Sequence, residues 1–423
     1  ASEARRGWPP VDMREGCLAE GHALAVARVY ERAMLETITV TVLVVCVFIA
    51  SKNTLDSLWR RWARLTVVVV GAGPVGLIAV LIAARNSKVA RIILYDERTR
   101  KDLLNRPQQI AVERKNVQYL SDLGVDFDNI EGCWQHQCFY TRIGVFQEYV
   151  LSILYRLPKQ IDVRLSCKFT KDTVRELDQL PGRLLVIACD GTHGHSATLL
   201  GVSDEFIQHS CKAYGAVAAL ARPEERQIPT PEIRIHNLTF DLNAFGNDCS
   251  DDPHPQGFHF KIFGGYRYRY MALIVPKCES KLVKFLKVVL DQTIMRNIFQ
   301  LCFNTYKTDT ENKLTDKAAL KMKFSPRLFE IRLSQRIETV AYIEDANLFV
   351  VTEGDAAACL NFHTGRDINF SIKSLHSMDK FISQAATAST ENAILEVLNQ
   401  KHAHSRALVQ EFLRSGLRET MYS

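Results

Sequence analysis

The run VVVVGAGPVGLIAVLIAARNSKVARIILYDER, residues 67 to 98, limits the fold more than any other stretch. Four consecutive β-branched residues, Val67 to Val70, are what a strand buried on both faces requires. Gly71, Gly73 and Gly76 follow in the spacing G-x-G-x-x-G. The first glycine permits a tight turn, and the second lets backbone approach a pyrophosphate. The third lets the next helix lie close against the strand. Leu77 to Ala84 predicts that helix, whose free N–H groups would point at the phosphates. Arg91 to Tyr95 predicts a second strand, and Asp96 ends it 25 positions after Gly71, where a carboxylate can hold a ribose. Ala72, Glu97 and Arg98 flank these positions and join the candidate site. The loop alone fits NAD, FAD or S-adenosylmethionine. A glycine turn in a βαβ unit with no ligand is the plainer alternative.

A chain of 423 residues has room for two or three domains, or for one large α/β fold with an insertion. Its 47% apolar and 24% charged residues are ordinary for a globular protein. The net charge of +6 is spread along the chain with no long basic block, which speaks against a nucleic-acid partner. The eleven cysteines are scattered, and no C-x-x-C occurs. Cys133 and Cys138 flank His136, but no second ligand pair completes a zinc site. Reduced thiols and no metal are expected, hence a reducing, cytoplasmic compartment. Residues 37 to 50, TITVTVLVVCVFIA, form a charge-free apolar run. With Met34 and Leu35 it approaches the ~20 residues a spanning helix needs. The following SLWRRWARL offers tryptophans for an interface and arginines that would keep that side cytoplasmic. Segment 34–50 therefore reads either as a membrane anchor with the catalytic domain in the cytoplasm, or as a strand or helix packed on the core.

Further along, Leu103 to Leu123 has a helical pattern with Arg106 near its start, and VFQEYVLSILYRL (145–157) suits an amphipathic helix that carries Gln147. IDVRLSCKFTKDTVREL reads as short strands. GRLLVIACDG (182–191) is a buried strand ending at Asp190-Gly191. After Gly201, strand-like segments such as AYGAVAALARP, EIRIHNLTFDL, FHFKIFGG and RYRYMALIVPK alternate with polar turns, and ESKLVKFLKVVLDQ predicts a helix. ANLFVVTEGDAA (346–357) returns to a buried strand that stops at Gly354-Asp355, and the tail from Ser374 is helical. The expected divisions are a leader at 1–64, a cofactor domain in two parts at 65–203 and 336–375, an inserted β-rich substrate domain at 204–335, and a helical tail at 376–423.

Two of these strand ends narrow the ligand. CDGTHGHS (189–196) resembles the DG motif of the class A flavoprotein monooxygenases, the para-hydroxybenzoate hydroxylase-like family. EGDAAACLNFHTGRDIN (353–369) resembles their GD motif. The order of glycine loop, DG motif, sheet domain and GD motif also matches, and the segment NRPQQIAVERKNVQYLSDLGV looks most like the monooxygenase domain of MICAL proteins. The resemblance implies an α/β fold: a Rossmann-like FAD-binding domain of the GR2 type with an inserted, mainly β substrate domain. It implies FAD as cofactor, NAD(P)H as co-substrate, and oxygenation of a small molecule or a protein side chain. Gly71, Gly73 and Gly76 would lie on the FAD pyrophosphate, with Asp96 on the ribose. Arg106 would sit near the phosphates, Asp190 and Gly191 in the DG motif, Gly354 and Asp355 at the ribityl chain, and Asn369 near the flavin ring.

The departures are as informative. Asn361 and Phe362 occupy a region where the family has a proline, and Asp367 stands where a flavin-facing glycine is expected. Phe146 and Ala197 replace arginines, and Ala358 replaces a histidine. A carboxylate at 367 would add bulk and negative charge beside a ring that becomes anionic on reduction. Three readings follow: a FAD-dependent monooxygenase, a catalytically silent FAD-fold binding module, and an S-adenosylmethionine methyltransferase, the last disfavoured by the late Gly-Asp motif. In the first, the cofactor carries the hard chemistry, so no nucleophile or metal is required and no catalytic side chain is assigned. His193, His195 and His363 lie in or beside the motifs.

Overall fold

The computed structural model describes residues 34–35, 37–48, 65–106, 108–135, 137–180, 182–222, 232–238, 258–264, 268–277, 287–288 and 291–417. The chain divides into two units, Ala1–Trp62 and Ala63–Ser423. In the first, residues 34–35 and 37–48 are helical, and every one of them is exposed. Thr39 and Thr41 each donate a hydroxyl to the carbonyl four residues earlier at 2.7 Å. Among the described residues no helix is long and apolar enough to cross a membrane.

The second unit is built on a parallel sheet. β1 (Leu65–Val70) pairs with β2 (Val89–Asp96) on one side and β7 (Arg183–Ala188) on the other. β6 (Ile161–Leu165) continues the sheet beyond β2, and β15 (Leu348–Thr352) beyond β7. β14 (Val340–Ile343) closes that edge antiparallel to β15, giving the order β14-β15-β7-β1-β2-β6. Val67, Val68 and Val69 have no exposed surface, as four valines between two helix layers require. α1 (Pro74–Arg85) is buried along nearly its whole length, so its sequence is apolar all round rather than striped. It packs with α4 (Ile143–Leu154), α7 (Ile368–Leu375) and α8 (Met378–Thr387) on one face of the sheet. The other face carries Phe169, Ala197, and Leu177 of α5 (Lys171–Asp178).

Two stretches depart from the sequence expectation. The supposed helix 103–123 is three elements: α2 (Arg100–Leu104), β3 (Gln109–Glu113) and α3 (Arg114–Asp122). QIAVE is drawn into a strand because β5 (Cys138–Arg142) pairs along its whole length, from Glu113↔Cys138 to Gln109↔Arg142. β4 (Cys133–Gln135) completes this small sheet in the order β3-β5-β4. Likewise KDTVRELD, read as strand, is α5, started by a reciprocal Thr170–Thr173 capping pair.

The inserted sheet has the order β16-β13-β8-β11-β10-β9. Its strands are β8 (Phe206–Ala221), β9 (Glu232–Leu238), β10 (Phe258–Gly264), β11 (Tyr268–Pro276), β13 (Phe329–Arg336) and β16 (Ala358–Leu360), with β12 (Lys323–Phe324) added on β8. β16 comes from the returning cofactor segment, so the structure stitches 336–375 into the inserted sheet. One sheet face is covered by α6 (Gln292–Tyr306) through Met295, Phe299 and Phe303. Most of the helix expected at 279–292 lies outside the described residues, and α6 begins at its last residue. The opposite face meets the small sheet through Phe263, Ile274, Tyr140 and Phe362.

The tail helix α9 (Glu391–Glu411) reaches back into the core. Lys401 forms an ion pair with Glu353, the residue that follows β15, and both are buried. Ser374 Oγ donates to the second Glu353 oxygen at 2.6 Å, and Lys401 Nζ donates to Ser377 Oγ at 2.9 Å and to the Ser374 carbonyl at 3.2 Å. Lys401→Met leaves a buried carboxylate unpaired and should lower stability by about 3–5 kcal/mol. Guanidinium unfolding checks this, and adding Glu353→Gln should restore most of the loss.

Candidate functional site

Register places the motifs. Val70 lies opposite Tyr95 and Ala188, and Ala188 lies opposite Thr352, so the parallel strands end level with one another. One further rung extends each pair: Gly71 N donates to Tyr95 O at 2.7 Å, Cys189 N to Val70 O at 2.7 Å, and Glu353 N to Ala188 O at 2.9 Å. Gly71, Asp96, Asp190 and Asp355 therefore emerge at one edge of the sheet, at the carboxyl ends of its strands, where open α/β sheets bind ligands. There they line a cleft of about 490 Å³.

The glycines have different jobs. Gly71 has φ +104°, and a Cβ there would sit 2.4 Å from the Cys189 carbonyl. A Cβ on Gly76 would sit 1.9 Å from the Gly71 carbonyl. Both are fixed by backbone packing. Gly73 differs: a Cβ there meets nothing within 4 Å, because that side faces the cleft. Gly73 is also the N-cap of α1 and provides no side chain to satisfy the first N–H groups, which suits an anion at that helix end. Asp96 is held beside the loop, accepting from Ala72 N–H at 2.6 Å and from Arg98 N–H at 2.7 Å.

Gly71, Gly73, Asp96, Glu97, Arg98, Arg106, Asp190, Gly191, Gly354 and Asp355 all line the cleft. Four other expected positions stand behind its wall. Ala72 and Gly76 serve the turn itself. Gln147 is fully buried; its Nε2 donates to the Ala72 carbonyl at 2.6 Å, and its Oε1 accepts from Arg106 at 3.4 Å. Asn369 is the fourth, and its amide is fully engaged within the protein. It donates to the carbonyls of Ala111 (2.8 Å) and Arg366 (3.0 Å), and it accepts from Glu113 N–H (2.8 Å) and Asn116 Nδ2 (2.9 Å). Asn369 thus pins α7 to β3 and α3.

Asp190 accepts from Ser196 N–H at 2.9 Å, which steadies the turn after β7. Arg106 stands between carboxylates. Burial and Arg98 push its guanidinium pKa down, while Asp96 and Asp355 act in the opposite direction. Asp355 is raised to about 6, chiefly by burial and then by the charge of Asp367, which also lines the cleft. His363 Nδ1 lies 3.5 Å from Asp367 Oδ2, and that contact raises the imidazole pKa. Cys167, Lys168 and Phe169 line the cleft without having been anticipated. Ser166 N and Cys167 N donate to the carbonyls of Arg98 and Asp96 at 3.0 and 2.9 Å, a link between β6 and β2 that local pattern does not reveal. Among the described residues no group of histidine, cysteine and carboxylate side chains could hold a metal ion.

The residues that depart from the flavoprotein pattern have structural tasks. Asn361 Oδ1 accepts from Arg332 N at 2.9 Å, and its Nδ2 donates to the Glu330 carbonyl at 3.1 Å. Phe362 fills the space that Gly215 leaves open, and Phe146 is fully buried in the core under α4.

No family model matches the chain, and no curated protein matches it. Solved structures do. The peptidyl tryptophan dihydroxylase QhpG, essential for tryptophylquinone cofactor biogenesis, is similar at TM-score 0.50 and 11% identity, over 84% of this chain and 75% of that one. The p-nitrophenol 4-monooxygenase PnpA from Pseudomonas putida DLL-E4 aligns at 0.44 and 14%, over 81% and 89%. The tetracycline destructase Tet(51) aligns at 0.43 and 12%, over 83% and 89%. The likeness to QhpG shows a shared fold, a parallel α/β sheet carrying an inserted sheet.

An acid whose folded pKa is raised stabilises the fold while protonated, and that contribution is lost as pH rises through the folded value. Asp355→Asn should therefore gain stability over the native chain as pH climbs from Asp355's ordinary 3.8 through about 6. Paired melting curves across that range check the sign.

Proposed function

We propose that the chain is a FAD-dependent monooxygenase or related oxidoreductase that uses NAD(P)H and O₂. The observation that carries this is the convergence of the strand-tip motifs at 71–76, 190–191 and 354–355 on one cleft, with Gly73 opened toward it. The residues fit an extended dinucleotide. The α1 N-terminus and Gly73 would take its pyrophosphate, Arg98 and Arg106 would balance the phosphate charge, and Asp96 would hold the adenosine ribose. Asp355 would take hydroxyls further along. FAD, once bound and reduced by NAD(P)H, supplies the oxygen-transfer chemistry. The protein's part is to grip the cofactor, exclude water and orient a substrate from the inserted-sheet side. QhpG is named for acting on a peptidyl tryptophan, which supports a residue within a polypeptide as one candidate substrate alongside small molecules.

A second reading, a FAD-fold module without catalysis, is favoured by Asp367 and Asp355 together on the cleft wall. Two carboxylates there disfavour a ring that gains negative charge on reduction. The visible spectrum of the purified chain separates the two. Flavin bands that bleach with NADPH are expected, whereas a protein that stays colourless in added FAD excludes the enzyme. Gly73→Val is the sharper test. Open space on that side predicts a folded variant with a near-native melting temperature but no bound flavin. Gly76→Val, blocked by backbone, should fail to fold. Full flavin content in folded Gly73→Val would refute the placement of the pyrophosphate.

A further inference from the structure

One apolar segment has no task in the fold or the cleft. Residues 37–48 are helical, and the ten large apolar side chains from Met34 to Phe48 are each 50–70% exposed. The other exposed large apolar residues among those described are spread over the sequence from Leu104 to Leu395. A contiguous apolar surface of this kind marks a place of interaction. At about 3.6 residues per turn, Ile38, Val40, Val42, Leu43, Val44 and Phe48 point to every side of the helix axis. Thr39 falls opposite Thr41, so no polar stripe runs along the segment.

Water does not favour such a helix. Nine of the twelve residues 37–48 are valine, isoleucine or threonine, which lose side-chain freedom in a helix and prefer strands. A helix this short is also marginal by itself in water. In hydrocarbon the preference reverses, because every backbone N–H and C=O must find a partner within the segment, and a helix provides one. The hydroxyls obey the same rule: Thr39 and Thr41 donate to the carbonyls of Leu35 and Thr37 at 2.7 Å, so these donors need no water. A protein groove or a second helix covers one stripe of a helix and suits an amphipathic one. Lipid covers all sides at once. The adjoining sequence agrees. Lys52, Arg60, Arg61 and Arg64 follow the run against a single acidic residue, Asp56, and Trp59 and Trp62 stand among them. Cations are drawn to anionic headgroups, and tryptophan is enriched at that depth.

We propose that residues 37–48 are a lipid-inserted anchor, and that what covers them is the hydrocarbon of an anionic bilayer. The twelve residues extend roughly 18 Å at about 1.5 Å per residue, less than the ~30 Å hydrocarbon core. Insertion without a crossing is therefore assigned, in keeping with the absence of a spanning helix among the described residues. The inference rests on exposure and composition, not on the cleft, and stands whether or not the chain binds FAD.

The experiment mixes the full chain, purified in mild detergent, with vesicles of phosphatidylcholine and phosphatidylserine, removes the detergent, and floats them through a sucrose gradient. The chain should rise with the vesicles and stay with them in molar salt, where attraction between surface charges is screened. Leu43→Asp/Val47→Asp sets two carboxylates in hydrocarbon and should lower the partition coefficient by about a hundredfold or more. Its melting temperature should remain native, because both side chains are exposed. The apolar exchange Leu43→Ile/Val47→Leu should float like the native chain. A native chain that stays at the bottom of the gradient, release by molar salt, or equal flotation of the aspartate variant overturns the proposal. A lower melting temperature in the aspartate variant overturns it as well, since the rest of the chain would then be what covers the segment. A native chain that does not float but forms an oligomer broken by the aspartates assigns the segment to a second copy instead.

Discussion

The parallel pairing of β1 with both of its neighbours is the constraint on which the rest depends. Parallel strands in matched register must finish at the same edge, and the chain must then leave the sheet there. Val70, Tyr95, Ala188 and Thr352 are tied rung to rung, so four turns far apart in sequence open onto one crevice. The backbone rungs between these pairs hold the four turns level. The site is therefore a by-product of burying the sheet on both faces.

Around that edge the protein handles charge in two ways. The Glu353–Lys401 pair is closed: each end has its counter-charge and further hydrogen bonds from Ser374 and Ser377. It joins the tail to the turn that presents Gly354 and Asp355, so the end of the chain helps shape the cleft. Around Arg366 the balance is looser: its Nη2 meets Glu113, while its Nε and Nη1 and the Gln109 Nε2 have no partner. Asp355 and Asp367 lie between the two, partly buried and facing the cleft.

The positions that break the flavoprotein pattern also become intelligible in this setting. Asn361 and Phe362 bind the returning loop to β13 and fill the space beside Gly215. A proline in place of Asn361 would lack the side chain that makes two of these bonds. Asp367 remains the departure that alters the cleft rather than its supports. Asn369, although it sits in the motif's expected place, acts as a brace between α7 and β3 because all its hydrogen-bonding capacity is matched inside the protein.

Local sequence was enough for whatever local chemistry dictates. Four valines, three glycines at fixed spacing and a terminal aspartate specified strand, turn, helix and strand, and the Asp-Gly and Gly-Asp stops marked two more strand ends. What it could not supply came from partners distant in the chain. QIAVE is a strand because CFYTR lies beside it, whereas the Thr170–Thr173 cap that starts KDTVRELD is a local signal, masked by the strand-like run before it. Lys168 and Phe169 reach the cleft because β6 ends beside β2. The sequence by itself determined that a dinucleotide-type turn exists and which strands end in acidic turns. Only the tertiary structure decided which of those residues face the cleft and which stand behind it. The reason is that propensity and spacing act over a few residues, whereas exposure and hydrogen-bond balance are set by whatever folding brings alongside.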